Sequence, residues 1–292
     1  MNHPRNVGNI LENGGRLLKE KGVVSHALDA QVILAHELNR DRAWLLSHPE
    51  YEPDAESIQK FVRSIERRAL FCPVQYIVNR QEFYNLDFYV DERVLIPRPE
   101  TEVLVERAIS LIGGKRAGIL EIGTGSGCIA VAVAKHCENA RVFACDLSRP
   151  ALEVAELNAA SHGVSDRIDF FYADFFTISF AAEIRSLIGD GTDLILMNPP
   201  YIETGQLSAL PVSVKHYEPL SALDGQRDGL AFYRKITSIG PKILKVGGRL
   251  ICETGDGQAE TVRGIFNGVY ADIEIINDLA GAGRVVYGKK SI

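Results

Sequence analysis

The sequence predicts a doubly wound α/β fold in its C-terminal part, preceded by a small helical bundle and a β-hairpin linker. From about residue 115 onward, short apolar or β-branched runs alternate with helical stretches, which is typical of a parallel sheet. Residues 1–75 show helical periodicity. Residues 76–98 are aromatic, β-branched and proline-containing, so we predict three regions with boundaries at 1–75, 76–98 and 99–292.

The composition limits the classes of protein that the chain can belong to. Its 292 residues are 46% hydrophobic, enough for a sizeable core in one large domain and a smaller one. A net charge of −6 argues against a protein that depends on non-specific phosphate binding. The five cysteines are scattered without a Cys-x-x-Cys pair, which favours reduced core thiols over disulfides or a zinc site. No run reaches membrane-spanning length and no secretory h-region is visible, so we expect a cytoplasmic protein.

Four helices are predicted in residues 1–75 from apolar residues at helical spacing. Ser25 and Asp54 are candidate N-caps for the second and fourth of these helices. We expect the fourth helix to turn Val62 inward and to carry Arg68 on or near its outer face. The bundle has a core but no catalytic constellation, so substrate recognition is its default role.

Seven strands are predicted in the third region, and helices fill most of the gaps between them. The strands are Gly118–Ile122, Arg141–Cys145, Ile168–Tyr172, Asp193–Met197, Gly248–Glu253, Ile273–Ile276 and Arg284–Tyr287. The helices cover residues 127–137, 149–161, 229–244 and 257–267. The last two strands are close in sequence, so we expect the final strand to pair antiparallel. Within the linker, Glu82–Val90 predicts a hairpin centred on Asn85 and Leu86.

Glycine and acidic residues follow the first three predicted strands. After Glu121 comes the Gly-rich turn Gly123–Gly127, which can bring backbone N–H groups close to a ligand at a helix N-terminus. Its G-x-G-x-G spacing differs from that of a pyrophosphate binder or a P-loop. Asp146 ends the second strand and can accept two ribose hydroxyls, while Asp174 and Phe175 follow the third and could hold and cover an adenine. Each acid alone could equally be a cap or loop residue, but together they predict a nucleoside cofactor.

The fourth predicted strand ends in Asn-Pro-Pro-Tyr, residues 198–201. The two prolines stop the strand and stiffen the turn at the sheet edge where open α/β sheets bind ligands. Asn198 Oδ1 and the Pro199 carbonyl can accept the two hydrogens of a planar NH2 group, and Tyr201 can pack on its flat face. The alternative is a capped strand followed by a loop. The tetrapeptide itself resembles the signature of methyltransferases that modify amide or exocyclic amino nitrogens.

Nearly the whole chain resembles the HemK/PrmC family, the release factor glutamine methyltransferases, within the class I S-adenosylmethionine-dependent methyltransferases. The most specific similarities are the linker Pro97–Glu102 and the loop that contains Glu218–Leu220 and Ala222–Gly225. Both are more specific than the Gly-rich turn. The chain departs from some relatives at Phe175, where they carry Trp.

The resemblance implies a Rossmann-like, seven-stranded methyltransferase domain that methylates the side-chain amide nitrogen of glutamine in the Gly-Gly-Gln motif of peptide chain release factors. The implied cofactor is S-adenosyl-L-methionine, with S-adenosyl-L-homocysteine as product, and no metal, membrane or direct nucleic-acid binding is expected. Glu121 is a candidate partner for the methionine amino group. The cofactor-binding residues predicted in all are Gly123, Thr124, Gly125, Ser126, Gly127, Asp146, Asp174, Phe175 and Asn198. The predicted catalytic residues are Asn198, Pro199 and Tyr201, which with Pro200 also bind substrate.

An amide nitrogen is a poor nucleophile because its lone pair is delocalised into the carbonyl. Hydrogen bonds from its NH2 group to Asn198 and Pro199 would localise that lone pair and aim it at the methyl group. Two other activities stay open. A glutamine methyltransferase acting on a ribosomal protein would differ only in recognition by residues 1–75, and an adenine-directed enzyme would use a similar tetrapeptide on a flipped base. The acidic balance counts against the second, and the intact Asn and prolines count against a binding protein without activity.

Overall fold

The computed structural model describes residues 6–291, and these form two compact units. The first unit comprises residues 6–80 together with Pro211–Tyr217, and the second comprises Gln81–Leu210 and the chain from Glu218 onward. Of the hairpin and linker that we expected at 76–98, residues 76–80 fall in the first unit and residues 81–98 in the second. A short segment beyond residue 210, Pro211–Tyr217, belongs to the first unit, and no sequence pattern predicts this.

The described residues contain helices and strands in the predicted alternation. The helices are α1 (Val7–Glu20), α2 (His26–Glu37), α3 (Arg42–Ser47), α4 (Ala55–Ala69), α5 (Val74–Val78), α6 (Glu102–Ile112), α7 (Cys128–His136), α8 (Arg149–Ser161), α9 (Phe180–Ile188), α10 (Val212–Lys215), α11 (Ala231–Ile243) and α12 (Ala259–Phe266). The strands are β1 (Gln81–Phe83), β2 (Leu86–Phe88), β3 (Ala117–Ile122), β4 (Ala140–Asp146), β5 (Ile168–Tyr172), β6 (Thr192–Met197), β7 (Leu244–Glu253), β8 (Tyr270–Asn277) and β9 (Gly283–Lys290). Among the helices described, none is long and apolar enough to cross a membrane.

The first unit is a helical bundle in which α4 differs in part from the prediction. Asp54 caps α4 by accepting the Ser57 N–H at 2.8 Å, as predicted. Val62 is 47% exposed, and the predicted inward orientation is wrong. Arg68 was expected outside, yet it lies two helical turns from the buried Phe61 and so shares its face. Its guanidinium points inward and donates to Asp29 Oδ2 at 2.6 Å.

The linker hairpin turns one residue earlier than predicted. Tyr84 and Asn85 both have positive φ, 52° and 58°, which a two-residue type I′ turn requires. Leu86 pairs with Phe83 and so belongs to the second strand. The left-handed conformation is unfavourable for tyrosine, and a hydrogen bond from the Tyr84 N–H to Glu102 Oε1 at 2.9 Å helps to hold it.

All seven predicted strands of the second unit form one sheet, in the order β5-β4-β3-β6-β7-β9-β8. Strands β3 to β7 run parallel to one another, and β9 is antiparallel to both β7 and β8. Helix α9 was not predicted. Two clusters of buried apolar side chains pack on the sheet, and all five cysteines are buried and free, as expected from the sequence.

The order of the strands determines where a ligand can bind. In the sheet, β4 lies on one side of β3 and β6 lies on the other side. Loops that follow these strands therefore diverge and open a crevice at the carboxyl edge of the sheet, where doubly wound folds bind their ligands. The Gly-rich turn follows β3 and the Asn-Pro-Pro-Tyr segment follows β6, so both reach this crevice.

Candidate active site

A cleft of about 300 Å³ lies in the second unit at the carboxyl ends of β3, β4, β5 and β6. Ten of the residues predicted for the site line it: Gly123, Thr124, Gly125, Ser126, Asp146, Asp174, Phe175, Asn198, Pro199 and Pro200. They come from four separate strand ends and meet because those strands are parallel neighbours. Gly127 and Tyr201 are not among the lining residues.

The Gly-rich turn is anchored to the next strand by Asp146. The Gly125 N–H donates to Asp146 Oδ2 at 2.8 Å, and the Ser148 N–H donates to Oδ1 at 2.9 Å. Each carboxylate oxygen keeps a lone pair for another donor. Burial raises the pKa of Asp146, and these backbone hydrogen bonds oppose that rise.

The glycines of this turn serve two different purposes. Gly123 and Gly125 have positive φ, and no atom lies within 4 Å of where a Cβ would stand. A ligand can therefore approach their backbone closely. At Gly127 a Cβ would lie 2.9 Å from the Ala155 Cβ, so this glycine allows α7 to pack against α8 and does not face the cleft.

Glu121 supports the turn from beneath without lining the cleft. Its Oε2 accepts the Thr124 hydroxyl at 2.8 Å, whereas Oε1 is buried without a partner among residues 6–291. Burial raises the pKa of Glu121 to about 8, and the nearby Asp146 adds to the rise. The predicted contact with a methionine amino group is not visible in the lining of the cleft.

Aromatic rings form one wall of the cleft. Phe175 is buried and lies parallel to Phe232, with ring centroids 5.8 Å apart. Phe176 meets the Phe232 ring edge-on at 4.8 Å and also lines the cleft. The backbone N–H of Phe176 donates to Asp174 Oδ1 at 2.9 Å, which fixes the turn after β5. Phe232 was missed as a site residue because it lies far along the chain, at the start of α11.

Asn198 is held from behind by a residue of the linker. Its Nδ2 donates to the Thr101 Oγ1 at 3.1 Å. An asparagine amide has one donor end and one acceptor end, so this bond leaves Oδ1 for another partner. Thr101 itself is buried and lines the cleft. The linker sequence was identified only as a distinctive segment, with no role for Thr101.

Tyr201 is fixed by its backbone. Its carbonyl accepts from Gln258 Nε2 at 3.0 Å. A Cβ at Gly225 would lie 2.8 Å from the Tyr201 Cα, and one at Gly229 would overlap its carbonyl oxygen. Gly225 and Gly229, in the segment after β6, thus permit close packing against the Asn-Pro-Pro-Tyr segment. Burial raises the pKa of the Tyr201 phenol to about 12, so it stays protonated at neutral pH.

The linker and the loop after β6 form one wall of the cleft. Arg98 and Pro219 both line it. Arg98 Nη2 donates to Glu218 Oε1 at 2.5 Å, and the Ile96 N–H donates to Glu218 Oε2 at 3.3 Å. Glu218 is 5% exposed, so this pair ties together two segments that are more than a hundred residues apart. Sequence spacing could not have shown that contact.

Two protein-family models match parts of the chain. Residues 9–78 match the PrmC N-terminal domain, and residues 119–203 match a methyltransferase domain. The chain is 42% identical over 274 residues to the release factor glutamine methyltransferase of Geobacter sulfurreducens, covering 93% of this chain and 92% of that protein. It is 38% identical to the protein of the same name from Chlorobaculum tepidum, covering 93% of each. The corresponding protein of Clostridium acetobutylicum is 35% identical, covering 92% of this chain and 93% of its own.

Solved structures share the fold at low identity. The hMettl16 catalytic domain, solved with the MAT2A 3'UTR hairpin 6, has a TM-score of 0.56 and 16% identity, covering 78% of this chain and 81% of that one. A methyltransferase from Pyrococcus furiosus has a TM-score of 0.51 and 17% identity, covering 78% of this chain and 99% of that one. At such identities the likeness extends to the fold alone.

Proposed function

The chain belongs to the release factor glutamine methyltransferase family, and on that premise we propose that it methylates the glutamine side-chain amide nitrogen of the Gly-Gly-Gln motif in peptide chain release factors. The observation that carries the proposal is that Asn198 and Pro199 line the same cleft as the Gly-rich turn and Asp146. The groups suited to an NH2 group and those suited to a nucleoside thus share one site.

S-adenosyl-L-methionine fits the residues of this cleft. The open space beside Gly123 and Gly125 suits close approach of a ligand to the backbone. Asp146 retains lone pairs for ribose hydroxyls, and Asp174 with Phe175 would hold the adenine. When bound, this cofactor supplies an electrophilic methyl group on a sulfonium, and S-adenosyl-L-homocysteine remains as product. No metal enters the proposal.

The chain's own residues would orient the substrate amide. Asn198 Oδ1 and the Pro199 carbonyl accept the two NH2 hydrogens, which holds the nitrogen with its lone pair toward the cleft. One of these hydrogens leaves as a proton once the nitrogen has been methylated, so no strong base is needed in the site. Pro200 stiffens this turn and lines it. Fixed acceptors of this kind act through orientation and preorganised dipoles. Tyr201 is proposed to contact the amide from the sequence pattern, although its ring does not line the cleft.

Substrate selection is proposed to depend on the first unit. Its helices match the PrmC N-terminal domain, and the catalytic and cofactor residues proposed above all lie in the second unit. A release factor would be bound as a folded protein, with the Gly-Gly-Gln loop presented to the cleft.

The test is incubation of the purified chain with S-adenosylmethionine and candidate release factors, followed by intact-mass analysis and peptide mapping. We expect one added methyl group on the glutamine of Gly-Gly-Gln and none on a factor in which that glutamine is replaced by alanine. Ribosomal proteins and an adenine-containing oligonucleotide are the comparison substrates. Methylation of either of these in place of the release factor would contradict the proposal.

A further inference from the structure

Two buried polar side chains stand behind Asn198, and the mechanism above leaves the roles of both open. Thr101 accepts the Asn198 Nδ2–H at 3.1 Å, and only 2% of its surface is exposed. Glu253 is also 2% exposed. It ends β7 directly after Cys252, which pairs with Met197 of β6, so it lies beside the strand end that carries Asn198. The Thr101 hydroxyl lies close enough to the Glu253 carboxyl to lower its pKa by hydrogen bonding.

An asparagine amide can turn over without changing its shape, because its oxygen and nitrogen ends are nearly the same size. Which end faces the substrate must therefore be set by a partner on the other side. A hydroxyl cannot set it alone, since it can accept from Nδ2 or donate to Oδ1. A carboxylate can only accept. If a carboxylate accepts the hydrogen bond that the Thr101 hydroxyl donates, the Thr101 oxygen can act toward Asn198 only as an acceptor. The Asn198 Nδ2 must then face the Thr101 oxygen.

We propose that Thr101 and Glu253 are positioning residues that hold the Asn198 amide with Oδ1 toward the substrate glutamine. The Glu253 carboxylate accepts the Thr101 O–H, the Thr101 oxygen accepts the Asn198 Nδ2–H, and Oδ1 is left to accept from the substrate NH2. This inference rests on the proposed function, because it needs an NH2 group as the partner of Asn198.

In this arrangement the orientation of the Asn198 side-chain amide depends on the protonation of Glu253. A protonated carboxyl can donate to the Thr101 oxygen, whose hydroxyl can then donate to Asn198 Oδ1. Nδ2 would turn into the cleft, where it would meet the donors of the substrate NH2. Protonation of Glu253 thus removes one substrate acceptor without moving any heavy atom far.

The surroundings of Glu253 bring this change close to neutral pH. Burial raises the pKa of Glu253 to about 7. Its Oε2 has no hydrogen-bond partner within the described part of the chain. The Thr101 hydroxyl and the positive charges of Arg284 in β9 and Arg98 in the linker lower the pKa of Glu253. The negative charge of Glu100 raises it. The other titratable groups that interact with Glu253 are Tyr201, Tyr233 of α11 and Cys128 of α7.

The first test replaces the hydroxyl. Thr101→Val keeps the shape but removes both the acceptor and the donor, and Thr101→Ser restores them. We expect Thr101→Val to lower the single-turnover methylation rate about tenfold, the ratio that one hydrogen bond can support. Thr101→Ser should recover most of the rate, and cofactor affinity should stay within about twofold for both, because the hydroxyl acts on the substrate side.

Thr237→Val is the matched control, because Thr237 is a buried threonine of α11 whose hydroxyl donates to the Tyr233 carbonyl and does not line the cleft. It should methylate at the rate of the unaltered protein. A Thr101→Val variant that is folded and equally fast would overturn the proposal. If the unaltered protein itself transfers no methyl group to a release factor, the proposed function fails instead, so the two failures are distinct.

The second test uses the pH profile. With saturating cofactor and release factor, the single-turnover rate should rise with pH through a midpoint near 7, following deprotonation of Glu253. Glu253→Gln does not titrate, so that step should disappear. Persistence of the step in Glu253→Gln would overturn the role of this carboxyl.

A third measurement does not depend on activity. In protein labelled with 15N-asparagine, the Asn198 side-chain amide should change its chemical shift with the same midpoint near 7. The change should be absent in Glu253→Gln. A signal that does not respond to pH in the unaltered protein would contradict the inference whatever the substrate is.

Discussion

Asp29 of the first unit and two glutamates of the second unit are buried in opposite ways. In the first unit, Asp29 is 4% exposed and has partners for its charge, with Arg68 at 2.6 Å and the Ser25 hydroxyl at 2.7 Å. In the second unit, Glu121 and Glu253 are as deeply buried, yet each keeps one oxygen without a partner among residues 6–291. A buried charge without a partner is costly. The first arrangement serves stability, whereas the second lies at a candidate site, where such a cost is most often found.

This comparison predicts that breaking the ion pair in the first unit lowers stability, that changing the candidate site in the second unit alters rate or binding, and that removing an unpaired buried carboxyl raises stability at high pH. The largest effect is expected for Arg68→Met, which leaves Asp29 buried without its cation. Breaking a buried pair in this way costs about 3–5 kcal/mol of unfolding free energy. Denaturant titration followed by fluorescence would measure it, because the single tryptophan of the chain, Trp44, lies in this unit.

Arg63→Met is the matched control for this measurement. Arg63 lies on the exposed face of the same helix, and its replacement should change stability by about 0.5 kcal/mol or less. An equal loss of unfolding free energy in the two variants would show that the pair of Asp29 and Arg68 has no special role. Pairing of the buried carboxylate in the first unit would then not contribute to stability.

The second largest effect is expected for Asn198→Ala, measured as the glutamine methylation rate in single turnover. Loss of one preorganised hydrogen-bonding partner costs about 10²–10³ in rate at comparable sites, while cofactor affinity should change little. Asn198→Asp keeps the shape but adds a negative charge beside a cationic sulfonium, which stabilises the ground state more than the transition state. It too should be slower at nearly unchanged affinity. An alanine variant as fast as the unaltered protein would remove Asn198 from the mechanism.

A smaller effect, on binding, is expected for Asp146→Ala. If Asp146 accepts two ribose hydroxyls, its loss should weaken cofactor binding by about 2–4 kcal/mol, from roughly 1–2 for each charge-assisted hydrogen bond. Calorimetric titration measures this directly. Asp169→Ala, which removes an exposed ion pair with Arg141 on the neighbouring strand, should leave the dissociation constant alone. An unchanged constant in folded Asp146→Ala would exclude it from the cofactor site.

The last expected effect is a gain in stability at high pH from Glu121→Gln. The native pKa of Glu121 is raised to about 8 from an ordinary value of about 4.3. Between these values the native state keeps a proton that the unfolded state loses, so stability falls as pH rises through this window. The glutamine variant lacks this loss, so its unfolding free energy relative to that of the unaltered protein should be higher at pH 9 than at pH 5. If the unfolding free energy depends on pH in the same way in the two proteins, burial does not disfavour the charged form of Glu121.

Local sequence patterns predicted those parts of the molecule that depend on local rules. The strands were predicted because each is an apolar or β-branched run that ends within two residues of a glycine, an asparagine or an acid. The cofactor and amide-binding candidates were identified because they follow those ends. Arg68 was misplaced because its charge suggested the surface, while helical periodicity put it on the face of Phe61. The hairpin turn was shifted because Tyr84 adopts a conformation that its residue type disfavours.

Residues that reach the site through tertiary packing were not predictable in this way. Thr101, Glu218 and Phe232 come from segments that no spacing rule connects to the strand ends, and their roles depend on contacts between distant parts of the chain. The similarity of the linker and the Glu218 loop to one family was visible in the sequence. The reason for it, a shared wall of the cleft, required the structure.

The division of the chain also limits how the protein can be made and dissected. The first unit takes in residues 6–80 and then Pro211–Tyr217, so a ribosome must synthesise most of the second unit before the first is complete. A protease that cuts between residues 80 and 81 would not release the first unit, because its last segment stays covalently within the second. Exchange of the first unit between relatives would therefore require two grafts, since transfer of the N-terminal residues alone would leave Pro211–Tyr217 packed against a foreign bundle.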